Sequence, residues 1–385
     1  MRLHSISGRV SDVDRALVDL VAAFPAARPE PAARQLAERL SPSGSEELCR
    51  FLVDRRLTHV YAAVCAPVLQ EFGPVPFRRA QRFIDEMTAL HLSELAGVSD
   101  DFAVAGIDYR VPKGIVFPLT VYPQLPVAFS GDVDVLVRSA DLAPARDILT
   151  ARGYQQGLVV RGNAPMRLPR QQVERLEAAV WMHGQTAAYT KLVRTPHLDQ
   201  DADFARRMFP FHVVVAGGRV HLRPTFDLHY SLNGLTEDTG RGDRPDEELW
   251  WANAQLIRGT SGSFPALSDL TLSWFIPYHL YMDLALYRDR NWKLIADLIA
   301  FARTGRLDFP ELAAVAGKFA AIRPAVYYVY RALQVGFHVP VPREFLDTVS
   351  EPSDAYGADL GDVLPAMMLG QRCEFHVASE GEGNR

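Results

Sequence analysis

The stretch Phe129-Ser130-Gly131-Asp132-Val133-Asp134-Val135-Leu136-Val137-Arg138 decides how this chain is read. Asp132 and Asp134 lie two residues apart in a run that otherwise has the pattern of a β-strand, so both point to one face. Like charges side by side repel, and burying either without a partner is costly, so the pair asks for something positive between its members. A divalent metal meets that need. Oxygen-only ligation favours Mg²⁺ or Mn²⁺ over zinc, and Mg²⁺ takes one or two carboxylates while leaving its other positions to water and substrate phosphates. The chemistry implied is phosphoryl or nucleotidyl transfer. Taken alone, a D-x-D pair is also what a solvated strand end looks like. The flanks favour a site: Val133, Val135 and Val137 alternate with the aspartates, and the strand becomes apolar on both faces only beyond Asp134. That is the pattern of a central strand with an acidic entrance.

The chain around this strand has 385 residues, 48% hydrophobic and 23% charged, which is enough for two or three domains with a sizeable core. A formal net charge of −5 provides no general basic footprint, so a long nucleic acid is disfavoured as substrate, although a tRNA end stays open. Cys49, Cys65 and Cys373 are widely separated and lack C-x-x-C spacing, which argues against a structural zinc or a disulfide framework and fits a reducing cytoplasm. The most apolar helical stretch, residues 270–287, is interrupted by Ser273, Pro277, His279 and Asp283, so no membrane span is expected. Gly317-Lys318-Phe319 lacks the rest of a P-loop, and neither H-E-x-x-H nor G-x-S-x-G occurs.

The hydrophobic periodicity divides the chain. Residues 1–95 read as a helical cap, with helices at 10–24 and 77–95 separated by Pro- and Gly-rich turns. Residues 96–235 carry short β-rich runs at 109–111, 131–137, 211–215, 219–222 and 225–230, with a helix at 141–153 stopped by Gly153. Gly217-Gly218 between two apolar runs predicts a hairpin. Residues 236–350 turn helical again, with Trp250, Trp251, Trp274, Tyr278, Tyr281 and Trp292 expected to pack that region, and residues 351–385 read as a tail that frays beyond about His376. Arg78, Arg79 and Arg82 on one helix read as a solvated face. The fold class is therefore α+β.

Several of these motifs, taken in order, carry a family resemblance. Lys113-Gly114, Tyr122-Pro123, the Gly131-Asp132-Val133-Asp134 strand, a helix closing at Gly153-Tyr154 and Asp227-Leu228-His229-Tyr230 follow one another as in a family of bacterial nucleotidyltransferases. That family is a branch of the DNA polymerase β-like superfamily. His279, Asp283 and Asp297 resemble its segment of a histidine, an aspartate and a leucine-rich helix, and the likeness covers roughly residues 80–320.

The resemblance implies a small mixed sheet flanked by helices, with three carboxylates holding two Mg²⁺ (or Mn²⁺) ions around an NTP, ATP by default. The carboxylates would be Asp132, Asp134 and Asp227, with Asp227 on the attacking side, able to help take the acceptor proton. On residues alone, Asp227 also fits a carboxylate pairing a core arginine such as Arg223. Lys113 and Gly114 would form the phosphate turn, where a glycine lets backbone approach phosphate and a lysine adds charge. The alternative is a simple turn after Pro112. Ser130, Gly131 and His229 would complete the nucleotide contacts, His229 being equally suited to a structural hydrogen bond. The chain departs from the pattern in two places: Gly114 is followed by Ile115 rather than a hydroxyl residue or glycine, and Val127-Ala128-Phe129 stands where an arginine is common. The expected reaction moves an NMP to a small-molecule or peptide acceptor and releases pyrophosphate. Two other readings stay open: a toxin-like or regulatory transferase acting on a protein or tRNA end, and an inactive nucleotide-binding protein of the same fold.

Overall fold

The computed structural model describes residues 2–7, 11–41, 44–66, 68, 70–71, 73–161, 164–179, 184–233, 244–284, 290–350 and 372–376. The architecture is α+β, with a small mixed sheet between helical regions. Helices Asp12–Ala23, Glu30–Leu40, Ser45–Asp54 and Thr58–Val64 precede the 31-residue helix Val75–Ala105. Its apolar stripe of Phe77, Phe83, Ile84, Met87, Leu92, Leu95, Val98 and Phe102 recurs at helical spacing and is buried. That stripe carries the helix ten residues past its expected end at Leu95. Gly106 stops it, in the left-handed conformation at φ +71°.

The central sheet has five strands, ordered in space as Tyr109–Arg110, Val133–Val137, Thr225–His229, Tyr189–Thr190 and Gln155–Gln156. The middle pair, Val133–Val137 and Thr225–His229, is parallel and the other pairings are antiparallel. The register of the parallel pair sets Asp227 opposite Asp134. Val133, Val135, Val137, Phe226 and Leu228 are buried on the other face, which is why both strands hold their orientation. The Gly217-Gly218 hairpin forms with both glycines left-handed, at φ +56° and +73°. It lies outside the central sheet, in a second sheet with Val193–Arg194, and the chain then passes through Arg223-Pro224 into the Asp227 strand.

Two elements depart from the helical reading of the flanks. Gln255–Gly259 and Gly262–Ala266 form a hairpin, and Val111 bridges to Ala266, so this insert extends the sheet region. Arg2–Ser7 is a strand paired with Arg372–His376. Arg372–His376 alternates polar and apolar residues over only five positions, and the pairing depends on a partner at the opposite end of the sequence. The rest of the expected tail, residues 351–371 and 377–385, lies outside the described residues. Buried apolar side chains form one continuous cluster from Ala16 to Val349, including all the aromatic residues singled out above except Tyr281, which packs against it half-buried. Among the described residues no helix is long and apolar enough to cross a membrane.

Candidate active site

Asp134 is the second residue of its strand, with 2% of its surface exposed. Lys113 Nζ lies 3.2 Å from Asp134 Oδ1, and His229 Nε2 lies 2.8 Å from the same oxygen. Burial alone would raise the Asp134 carboxyl, but Lys113 and His229 outweigh it and hold the group well below the usual carboxylate range. Burial likewise opposes the charge on Lys113, and Asp134, Asp132 and Asp227 together raise it instead. The lysine is thus kept cationic by three carboxylates. Two residues before Asp134, Asp132 is half-buried at the strand entrance.

Asp227 behaves oppositely. Burial, then the negative charges of Asp132 and Asp134, push its carboxyl well above the ordinary range, against the weaker pull of Lys113 and Arg223. Its Oδ1 is buried and has no hydrogen-bond partner among the described residues. An orphaned carboxylate oxygen beside two further carboxylates is a local deficit of positive charge.

The turn residues pack under this cluster. Gly114 has φ +68°, and a Cβ there would sit 3.3 Å from Ser130 Oγ and 3.5 Å from Asp134 Oδ2. The following helix, Val116–Thr120, has only five residues, so its dipole is small and Lys113 supplies the charge at this turn. Ser130 Oγ donates to the Asp132 carbonyl at 2.8 Å and shapes the bend ahead of the strand. Gly131 is required by a close approach, since a Cβ there would lie 2.5 Å from His212 Cε1. His229 is buried, and its Nε2 contact to Asp134 makes it part of the wall that orients that carboxylate. The structure thus brings Lys113, Gly114, Ser130, Gly131, Asp132, Asp134, Asp227 and His229 into one cluster.

Other residues join it through the tertiary fold. His279 Nε2 lies 3.2 Å from Lys113 Nζ, and its Nδ1 lies 3.3 Å from Asp283 Oδ2, which also accepts from Asn291 Nδ2 at 3.0 Å. The His279 and Asp283 signal was visible in the motif order, but their contact with the lysine was not. Arg223 feels the charges of Asp227 and Asp132, and its Nε is buried without a hydrogen-bond partner. It brings a cation to the cluster from after the hairpin, whereas the sequence pattern places one before the acidic strand. His91, from the long helix, is buried with both ring nitrogens unpartnered, and burial lowers it to about 4 against the opposing pull of Asp132 and Glu94. Asp297 binds Tyr122 and Lys293 in the core, tying the end of the phosphate-turn segment to helix Trp292–Ala302. Arg78 and Arg82 lie exposed on the face expected to be solvated, and from that face Arg79 and Arg82 also pair with the buried carboxylate of Asp201.

Among the described residues no group of three His, Cys, Asp or Glu side chains is gathered to hold a metal ion as it stands. The donor chemistry nevertheless fits Mg²⁺ or Mn²⁺: three carboxylates, no thiolate, and one buried carboxylate oxygen left without a partner. In the arrangement seen here the Lys113 ammonium supplies the nearest positive charge to Asp134.

Comparison with known proteins follows the same line. No curated protein and no solved structure matches the chain. A family model described as "Uncharacterised nucleotidyltransferase" matches residues 57–335. That span contains the phosphate turn, the acidic strand, Asp227 and the His279 segment, and the chain belongs to this uncharacterised nucleotidyltransferase family.

Proposed function

We propose that the protein is a Mg²⁺-dependent nucleotidyltransferase that moves a nucleoside monophosphate, from ATP by default, to a hydroxyl or similar group of a small-molecule or peptide acceptor and releases pyrophosphate. The observation that carries this reading is the parallel register of Asp134 and Asp227, with Asp132 at the entrance and Lys113 against the pair. Asp132, Asp134 and Asp227 would hold the metal, whose contribution when bound is to activate the acceptor oxygen and to stabilise charge on the leaving pyrophosphate. Lys113 is placed to exchange its contact with Asp134 for the NTP phosphates. His229 orients Asp134. Asp227, opposite Asp134 in the parallel register, is the carboxylate suited to draw the proton from the acceptor hydroxyl.

The test uses each of the four NTPs labelled at the α-phosphate, with Mg²⁺ or Mn²⁺, and reads pyrophosphate release and label transfer by the full chain in an extract of small molecules. Metal-dependent transfer that disappears in Asp132→Asn and Asp134→Asn supports the assignment. Transfer that persists in either variant overturns it.

A further inference from the structure

The segment 127–131 that leads into the acidic strand runs between two cavities. Val127 and Ala128 line one of about 500 Å³, whose other walls include Leu92, Ile115 and Pro118. Phe129 lines the other, of about 520 Å³, together with Arg50, Arg56, Arg207, Phe211 and His212. The second cavity adjoins the catalytic cluster, because His212 packs against Gly131, the residue before Asp132. Its His212 carbonyl accepts the N–H of Arg223, two residues before the Asp227 strand begins. Lys113 comes from the opposite flank, after strand Tyr109–Arg110, so a triphosphate held by the lysine leaves this side for the second substrate.

Its charge is unevenly distributed. Asp54 is the one acid among the lining residues, and of the three arginines Arg207 is held by Glu46. Among the described residues Arg56 has no hydrogen-bond or ion-pair partner for its side chain. The backbone of Arg56 is left-handed at φ +56° where helix Ser45–Asp54 ends. Its N–H bonds Val53 O, and the Leu57 N–H bonds Leu52 O. Glycine is the residue that such a helix end favours, and a side chain there is strained. An unpaired arginine thus occupies a costly position in the wall of a cavity next to the reacting groups. Burial, then Arg223 and Arg56, push His212 down to about 3, so it enters the cavity as a neutral ring in a positive field.

We propose that this cavity seats the acceptor, and that the acceptor is a small organic anion, a phosphate or carboxylate on a flat apolar body, held by Arg56 with its body between Phe129 and Phe211. This deepens the nucleotidyl-transfer reading and rests on it. The volume suits a compact small molecule, and the mixture of rings with a few polar groups is that of small-ligand sites. Of the two rings, Phe211 is 67% exposed, while Phe129 is buried and packed edge-on against Phe209 and His212, a fixed floor for the cavity.

The probes are phenyl phosphate and phenylacetate, with benzyl alcohol as the neutral control, titrated calorimetrically into the full chain. At least one anion should bind, and the neutral probe should not. Arg56→Gly should weaken that binding by at least about tenfold, the lower bound for losing one charge-assisted hydrogen bond, while raising the thermal midpoint because glycine relieves the left-handed backbone. Arg56→Gln should lose the anion without the gain in stability. Mg·ATP affinity should stay at the wild-type level in both variants. The preferred anion distinguishes a phosphorylated from a carboxylated acceptor. Anion binding that survives both substitutions, that is abolished by Lys113→Ala, or that is absent altogether overturns the proposal. If Mg·ATP neither binds nor turns over in the wild type, the nucleotidyl-transfer reading itself fails, and that result does not depend on Arg56.

Discussion

Asp134 lies against Lys113 and His229 with almost no exposed surface, whereas Asp132, half-buried at the strand entrance, has no ion pair among the described residues. Neutralising each therefore has different consequences for the apoprotein. Asp134→Asn leaves the Lys113 ammonium without its partner and should cost about 3 kcal/mol in urea unfolding, the lower end for breaking a buried pair. Asp132→Asn removes a repelling charge from Asp227 and should leave stability equal or slightly raised. Equal losses in the two variants would contradict this geometry. Asp227 adds a pH dependence whose sign follows from its raised pKa. Above the ordinary carboxylate range of about 4 the unfolded chain releases this proton while the folded chain retains it. Stability from this group is complete below that pH and is lost as pH rises through the folded value. Asp227→Asn should therefore raise the thermal midpoint more at pH 8 than at pH 5. An equal shift at both pH values would show that the carboxyl is not perturbed.

Among the elements, the turn from strand Tyr109–Arg110 to helix Val116–Thr120 carries the tightest constraint. Gly114 is left-handed, and a Cβ there would crowd Ser130 Oγ and Asp134 Oδ2 at distances tighter than, or at, ordinary contact. Gly114→Ala should cost about 1–2 kcal/mol of stability from backbone strain. It should also weaken Mg·ATP binding more than its stability loss explains, because the lysine beside it shifts with the turn. Unchanged nucleotide affinity in a folded Gly114→Ala protein would separate this turn from the phosphates. The Gly217-Gly218 hairpin shows how a correct local reading can still misplace an element. Its strands pair as the turn chemistry requires, but they belong to the second sheet, and Arg223-Pro224 makes the crossing that brings Asp227 beside Asp134.

Over the whole molecule, the units proposed from the sequence at 1–95, 96–235 and 236–350 share one buried cluster. The helix Asp269–Met282 sets His279 against Lys113, Asp297 reaches Tyr122 across the core, and Arg79 and Arg82 of the long helix hold Asp201. The segment 96–235 contains the carboxylates but packs part of its apolar surface on helices outside it, Phe117 against Phe301 and Phe204 and Phe209 against Phe83. Expressed alone, residues 96–235 should lack a cooperative thermal transition by circular dichroism and should not bind Mg·ATP. A cooperative, nucleotide-binding fragment would establish that the catalytic unit folds on its own.

The sequence by itself determined the acidic strand, because an alternation with period two forces Asp132 and Asp134 onto one face whatever surrounds them. It also determined the helix after that strand, the Gly-Gly turn and the α+β class, all of which follow from local spacing and backbone preference. The order of weak motifs carried Lys113, Asp227 and the His279 segment into the same reading. Only the tertiary structure decided which of these residues touch. Strand register placed Asp227 opposite Asp134, and helix packing delivered His279 to Lys113 and His91 to the neighbourhood of Asp132. Arg223 and Arg56 come from separate parts of the chain with no motif to mark them. The divided fates of three aspartates, one held ionised, one half-exposed and one pushed toward protonation, follow from burial and neighbouring charge, which exist only once distant segments have met.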